Sequence, residues 1–216
     1  MHRKLEKDFA KMHGREDSIF LSSGTAALQI ALQTLKETRG WKFGDQILVP
    51  SVTFVSTVNT ILHNDLSPVL VDVCGSDFNM DPDKIGEKIT SKTKAVLAVD
   101  LLGQPCQIDR IKKVVGASHV GISVIEDSCE AMAVNYRGQP VGSEADIACY
   151  STYMSHLMST GVGGFVTASD PRMMEIMRSL IWHGRDPNYL SMDDNEKDKK
   201  SLLETRFKFN RVGHNF

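Results

Sequence analysis

The sequence lacks long apolar runs and any excess of charge of one sign. No stretch of its 216 residues approaches the roughly 20 apolar residues that a membrane-spanning helix needs. The first segment, MHRKLEKDFAKMHGRED, is charged and amphipathic, unlike a signal peptide. With 25 basic and 27 acidic residues, no basic surplus indicates nucleic acid or an anionic membrane as a partner. These absences favour a cytoplasmic protein that binds a small molecule.

The four cysteines are too sparse for a disulfide framework or a metal site. They show no CxxC pair and no neighbouring histidine cluster at metal-ligand spacing. They are therefore predicted to be reduced cytosolic thiols, and no metal site is expected. The cysteines are Cys74, Cys106, Cys129 and Cys149.

Short apolar runs that alternate with amphipathic segments predict an α/β domain with a mostly parallel sheet flanked by helices. The charge run at 191–201 is predicted to be a solvated loop. The predicted strands are DQILVP (45–50), PVLVDV (68–73), KAVLAVD (94–100), ISVIED (122–127), IACYST (147–152) and GGFVTAS (163–169), and the predicted helices include TAALQIALQTLKE, DPDKIGEKI, QIDRIKKVVGA and DPRMMEIMRSLIWHG.

Three features of the chain have both a binding interpretation and a structural one. Gly24, Thr25 and Ala26 lie at the start of a predicted helix, where their backbone N–H groups could bind an anion, although Ser23 could simply be its N-cap. Asp127 ends a predicted strand, where ligands bind in open α/β sheets, although a cap or a structural salt bridge is the alternative. Phe54 could stack on a planar ring or belong to the core.

The order of these features along the chain matches what a pyridoxal phosphate site requires. The phosphate, the ring face, the ring nitrogen and the reacting carbon each need a partner. Gly24 and Thr25, Phe54, Asp127, and then Ser151 with His156 could supply these partners in turn.

Eight ordered segments resemble the DegT/StrS family of pyridoxal-phosphate sugar aminotransferases. The resemblance runs from about Leu5 to Phe216 and implies an aspartate-aminotransferase-like fold. It also implies that residues 1–216 form the large cofactor-binding domain, without the family's N-terminal segment and smaller C-terminal domain. The segments are SSGTAAL, VPSVTFVSTVN, PVLVDV, LLGQP, VIEDSCEA, YSTYMSHLMSTGVGGF, WHGRD and VGHNF.

The resemblance assigns a role to most of these positions. Asp127 would pair with the ring nitrogen of the cofactor, and Phe54 would stack on the ring. Glu130 falls where the family usually has Gln or His near the ring hydroxyl. The remaining cofactor-binding residues would contact the phosphate: Gly24, Thr25 and Ser151 from this chain, and Asn215 from a neighbouring subunit, which implies a homodimer with shared sites.

The sequence departs from the family five residues after Ser151. The family has a lysine there that bonds covalently to the cofactor, but this chain has His156, and no lysine occurs between Lys113 and Lys197. Imidazole cannot form a stable Schiff base, yet it is a competent general acid or base near neutral pH. The family's sugar 3-dehydratases make the same exchange. A second departure, Val162, replaces a glutamate that the family often has.

The resemblance therefore implies an enzyme that uses pyridoxal or pyridoxamine 5′-phosphate on a 4-keto-6-deoxy nucleotide sugar. Removal of the C3 hydroxyl, with His156 as base and then acid, is the leading hypothesis. The alternatives are a sugar aminotransferase and a non-catalytic cofactor- or sugar-binding homologue. The nucleotide, the sugar and the pathway stay open at this stage.

Overall fold

A computed structural model describes residues 2–118, 120–186 and 207–216; the charge run at 191–201 lies outside these ranges. Within the described part, no helix is both long and apolar enough to cross a membrane. The helices are α1 (His2–Met12), α2 (Gly24–Arg39), α3 (Val55–His63), α4 (Pro82–Ile85), α5 (Ile108–Ala117) and α6 (Pro171–Ile181). The strands are β1 (Ile19–Leu21), β2 (Gln46–Pro50), β3 (Ser67–Val71), β4 (Thr93–Val99), β5 (Ser123–Asp127), β6 (Asn135–Tyr136), β7 (Gln139–Pro140), β8 (Ile147–Ser151) and β9 (Gly164–Ala168).

Seven strands form one mostly parallel sheet, as the sequence predicts. Their order is β1-β9-β8-β5-β4-β2-β3. The pairs β2–β3, β2–β4, β4–β5 and β5–β8 are parallel, whereas β9 runs antiparallel to both β8 and β1. All six predicted strands occur within two residues of their predicted ends. β1, α3 and the small β6–β7 hairpin were not predicted from the sequence.

The parallel strands are apolar because both faces of the sheet are covered. Every residue of β5, β8 and β9 is buried. One face packs against α2, α3 and α6 in a core that includes Ile125, and the other packs against α4 and α5 in a core that includes Val124. Adjacent residues of β5 therefore face opposite sides of the sheet.

Helix α2 is fixed at both ends by local chemistry. Ser23 caps its N-terminus, and Gly40 ends it in the left-handed conformation, with its N–H bonded to the carbonyl of Lys36. The helix lies along β8 and β9, so its N-terminus faces the carboxyl ends of β5 and β8. This arrangement sets the position of the candidate site.

Candidate active site

The first turn of α2 lies directly against the residues that follow β5 and β8. A methyl group on Gly24 would sit 2.7 Å from Sγ of Cys129 and 2.8 Å from Cβ of Ser151. A methyl group on Gly164 would likewise meet the backbone of Ser23 at 2.5 Å. Glycine is thus needed at both positions because the backbones approach so closely.

The first backbone N–H groups of α2 divide into two pairs. Ser23 accepts hydrogen bonds from the N–H groups of Ala26 (to Oγ, 3.0 Å) and Ala27 (to its carbonyl, 3.1 Å), which confirms that Ser23 is an N-cap. The prediction that the Ala26 N–H is available to an anion is therefore wrong, because the Ser23 side chain already accepts from it. The N–H groups of Gly24 and Thr25 have no partner within the described part of the chain. They carry the positive end of the helix dipole and are free to bind an anion.

Asp127 is a buried carboxylate at the carboxyl end of β5. Its Oδ2 accepts a hydrogen bond from Oγ1 of Thr57 at 3.1 Å, and its Oδ1 accepts one from the N–H of Cys129 at 3.3 Å. Among the described residues no lysine, arginine or histidine forms a salt bridge with Asp127. Burial therefore raises the pKa of the Asp127 carboxyl, against the hydrogen bonds from Cys129 and Thr57.

Three further predicted site residues lie at the ends of secondary-structure elements: Ser151, Thr25 and Phe54. Ser151 is the last residue of β8 and is buried, and its Oγ accepts a weak hydrogen bond from the N–H of Tyr153 at 3.3 Å. Thr25 is exposed at the start of α2. Phe54 precedes α3 and is 66% exposed, so the interpretation of Phe54 as a core aromatic is wrong.

Glu130 is hydrogen-bonded to the neighbouring turn at Leu102. Its carboxylate accepts a hydrogen bond from the N–H of Leu102, and its carbonyl lies close to Gly103. Leu102 has a positive φ of 55° and a side chain that is 81% exposed. Glu130 thus supports a strained turn beside the candidate site.

His156 lies in the irregular segment between β8 and β9. Its backbone N–H bonds to the carbonyl of Tyr153 at 2.9 Å, and its half-buried ring meets the Tyr153 ring edge-on, with centroids 6.4 Å apart. Its imidazole is therefore reachable from solvent. The segment follows Ser151 directly, which ties His156 to the carboxyl edge of the sheet.

Asn215 lies beside Trp182, the residue that follows α6. It forms an isolated antiparallel bridge with Trp182 and lines an open cavity of about 950 Å³ together with Val162 and Phe216. The lining of this cavity does not include Asp127, Ser151 or His156. Within one chain, the structure therefore brings Gly24 and Ser151 together at the sheet edge that carries Asp127, but it does not bring Asn215 to them.

The sequence pattern of the DegT/DnrJ/EryC1/StrS aminotransferase family matches residues 1–215. The chain belongs to this family. It is 38% identical over 185 residues to a GDP-perosamine synthase of Caulobacter vibrioides, covering 86% of this chain and 48% of that protein. It is 34% identical over 217 residues to a GDP-4-keto-6-deoxy-D-mannose 3-dehydratase of Yersinia pseudotuberculosis, covering 99% of this chain and 54% of that protein.

A solved structure of the family superposes closely on this DegT/StrS-type chain. It is the E. coli GDP-4-keto-6-deoxy-D-mannose-3-dehydratase with bound hydrated PLP, at a TM-score of 0.89 and 29% identity, covering all of this chain and 56% of that one. The chain spans about half the length of the curated relatives it matches. The predicted aspartate-aminotransferase-like fold is confirmed.

Two contributors to the site of this DegT/StrS-family chain are missing from the sequence-based set. Thr57 donates a hydrogen bond to Asp127 from the first turn of α3, a helix that was not predicted from the sequence. Cys129 fills the space opposite Gly24. The alternation along VIEDSCEA could have placed Cys129 on the side of Asp127, whereas nothing in the sequence indicates the contact of Thr57.

Gly24→Ala is expected to destabilise the protein by about 1–3 kcal/mol because the new methyl group would overlap Cys129 and Ser151. Gly116→Ala in α5 is the matched control, since a methyl group there meets nothing within 4 Å. The control should be neutral or slightly stabilising, because alanine favours helix over glycine. Urea unfolding measures both free energies, and equal values for the two variants would refute the close approach.

Proposed function

We propose that this chain is the cofactor-binding large domain of an enzyme that uses pyridoxal or pyridoxamine 5′-phosphate on a 4-keto-6-deoxy nucleotide sugar. Family membership over residues 1–215 supports the chemistry, and the names of the relatives supply the substrate class. The single observation that favours one reaction is His156 in place of the family's lysine.

The residues at the sheet edge fit the phosphate group of this cofactor. Gly24 and Thr25 offer two unbonded N–H groups at the positive end of α2, and Ser151 offers a hydroxyl beside Gly24. Such a set of donors suits a dianionic phosphate. The absence of a side chain at Gly24 supports the assignment, because any side chain there would overlap Cys129 and Ser151.

Asp127 fits the protonated ring nitrogen. It is a buried carboxylate with two neutral donors and no cationic partner among the described residues, so it lacks a compensating charge. A pyridinium N–H would supply that charge and restore the ordinary ionised state of the carboxyl. Phe54, exposed at the start of α3, offers an aromatic face for the ring, and Glu130 stays near the ring hydroxyl in this assignment.

When bound, the cofactor supplies an electron sink that stabilises negative charge next to its reactive carbon. His156 would take up a proton at its imidazole as base and would then, as acid, give a proton to the C3 hydroxyl of the sugar, which leaves as water. A lysine at this position would compete with the substrate for the cofactor and would promote transamination. Histidine therefore favours removal of the hydroxyl.

Transamination is the second candidate because the GDP-perosamine synthase relative has the higher identity, 38% against 34%. A direct test is to incubate the purified chain with pyridoxamine phosphate and GDP-4-keto-6-deoxy-D-mannose and to analyse the sugar by mass spectrometry. Dehydration predicts a product without its C3 oxygen, whereas transamination predicts an amine in place of the keto oxygen. An amino sugar as the sole product would overturn the dehydratase assignment.

We also propose that the protein works as a homodimer with shared sites. Asn215 is exposed and lines a cavity whose lining does not include Asp127, which is compatible with a role at the phosphate site of a neighbouring subunit. Sedimentation velocity tests this proposal: a monomer that binds the cofactor at full strength would contradict it.

A further inference from the structure

A second group of buried ionisable side chains lies behind the candidate site, on the opposite face of the sheet from Asp127. Asp100, Cys106 and Glu126 are each no more than 1% exposed, and one oxygen or sulfur atom of each lies within 4.8 Å of the others. Glu126 directly precedes Asp127 in β5, so its side chain faces the other way. The proposed cofactor chemistry does not use this group.

Asp100 holds the turn that follows Asp127 in two ways. Its backbone N–H donates to the carbonyl of Asp127 at 3.0 Å. Its Oδ2 accepts a hydrogen bond from Oγ of Ser128 at 2.7 Å, and its Oδ1 accepts one from the N–H of Cys106 at 2.8 Å. Burial raises the pKa of Asp100, and both donors oppose this shift by favouring the ionised carboxylate. The position of Asp127 thus depends on Asp100, although the two carboxylates face different sides of the sheet.

Glu126 needs a proton to be compatible with this arrangement. Its Oε2 is buried without a hydrogen-bond partner in the described part of the chain, and its carboxyl group lies beside Asp100. Two adjacent ionised carboxylates in an apolar interior repel each other strongly. Burial raises the pKa of Glu126 well above its usual range, and the charge of Asp100 adds to this shift.

Other charged groups near the pair do not remove the need for this proton. Arg15 interacts favourably with Glu126, but its guanidinium already donates to the carbonyls of Gly142 and Ala145. The thiol of Cys106 stays neutral because burial raises its pKa well above the usual value. The other titratable groups that act on the pair or on Arg15 are Asp127, Tyr150, Glu144 and Asp146.

We propose that Glu126 donates a shared proton to Asp100 and that this carboxyl pair positions Asp127 for the cofactor through Ser128 and the backbone of Asp100. The inference rests on the proposed function for the role of Asp127. The existence of the shared proton does not depend on the proposed function. Because the three side chains could also ligate a divalent cation such as Zn²⁺, metal binding is a competing outcome of the test.

The shared proton makes stability depend on pH with a defined sign. In the unfolded chain Glu126 ionises near its ordinary pKa of about 4.3. The folded state keeps its proton to a higher pH, so the stability from this group is complete below that ordinary pKa and is lost as the pH rises toward the folded pKa. Glu126→Gln keeps a hydrogen-bond donor for Asp100 without this dependence.

The first measurement is the melting temperature of the cofactor-free chain between pH 5 and pH 8.5. Relative to wild type, Glu126→Gln should gain stability as the pH rises, by roughly 3 °C or more at the alkaline end. Glu175→Gln, on the exposed surface of α6, should run parallel to wild type. A Glu126→Gln curve parallel to wild type would overturn the shared proton.

The second measurement is pyridoxal phosphate affinity, followed by the absorbance of the cofactor. Asp100→Asn should weaken binding by about tenfold, equivalent to one charge-assisted hydrogen bond, whereas Glu175→Gln, on the exposed surface of α6, should stay within about twofold of wild type. Unchanged affinity in a folded Asp100→Asn variant would overturn the positioning role. Failure of wild type to bind the cofactor would count against the proposed function, and the melting curves would still decide the shared proton.

Elemental analysis of the purified chain after incubation with Zn²⁺ separates the proton from a cation. The proposal expects no stoichiometric zinc. One equivalent of zinc that is retained by wild type and by Cys74→Ser, a half-buried cysteine outside the group, but lost in Cys106→Ser, would replace the shared proton with a metal site.

Discussion

His156→Lys is expected to attach pyridoxal phosphate covalently to the chain, which the wild type does not do. Lysine at this position would condense with the aldehyde of the cofactor, and borohydride would reduce the resulting carbon–nitrogen bond to a permanent one. The wild type has no lysine between Lys113 and Lys197 and should release all cofactor on denaturation after the same treatment. Mass spectrometry of the denatured protein measures the adduct, which should be near stoichiometric in the variant and absent in wild type.

The companion variant His156→Asn separates binding from proton transfer. Asparagine preserves the size and polarity of the side chain but cannot carry a proton at neutral pH. Turnover should fall by roughly a hundred-fold to ten-thousand-fold, the usual contribution of a general acid or base, whereas cofactor affinity should barely change. The backbone hydrogen bond from His156 to Tyr153 does not involve the side chain, so the local turn should persist.

Two results would contradict this role of His156. A cofactor adduct on any lysine in the pocket of the reduced wild type would revive the aminotransferase assignment. Full activity of His156→Asn would show that another group moves the proton. Met154→Ala is a suitable control in the same segment, because Met154 is 69% exposed and has no titratable atom.

The sequence predicts the sheet well because its strands are buried on both faces. Continuous apolar runs such as KAVLAVD mark a parallel strand without ambiguity once helices alternate with them. β1 escaped prediction because three residues, IFL, are too short to show a pattern. Helix α3 escaped because VSTVNTIL is rich in β-branched residues, whose intrinsic preference is for strands, and packing against α2 overrides that preference.

The candidate site could be predicted only as far as its position along each strand. Gly24, Asp127 and Ser151 each stand at an element end, so the topology of a parallel sheet brings them to one edge. Contacts from the loops are different, because they depend on packing. The bond from Thr57 to Asp127 spans 70 residues, and no local signal indicates it. The partnership of Asp100 with Glu126 across adjacent strands is equally hidden in the sequence.

Asp127→Asn is expected to act with opposite signs on stability and on cofactor binding. Asparagine retains an acceptor for the Thr57 hydroxyl or the Cys129 N–H but carries no charge. Burial raises the pKa of Asp127, so the cofactor-free wild type loses stability as the pH rises through that pKa. The variant avoids this loss, and its melting temperature should be at least equal to that of wild type at pH 8.

The same substitution should weaken pyridoxal phosphate binding by roughly a hundred-fold, because removal of one partner from a buried ion pair costs about 3 kcal/mol. Asp8→Asn is the control, because it makes the same substitution in an exposed ion pair with Lys4. The expected change in stability there is below about 1 kcal/mol. Titration of cofactor absorbance and thermal melting together give both quantities. A structural role alone does not predict higher stability combined with weaker binding. A variant that melts at a lower temperature than wild type would therefore indicate a purely structural carboxylate. A variant that binds the cofactor as tightly as wild type would show that Asp127 does not pair with the ring nitrogen.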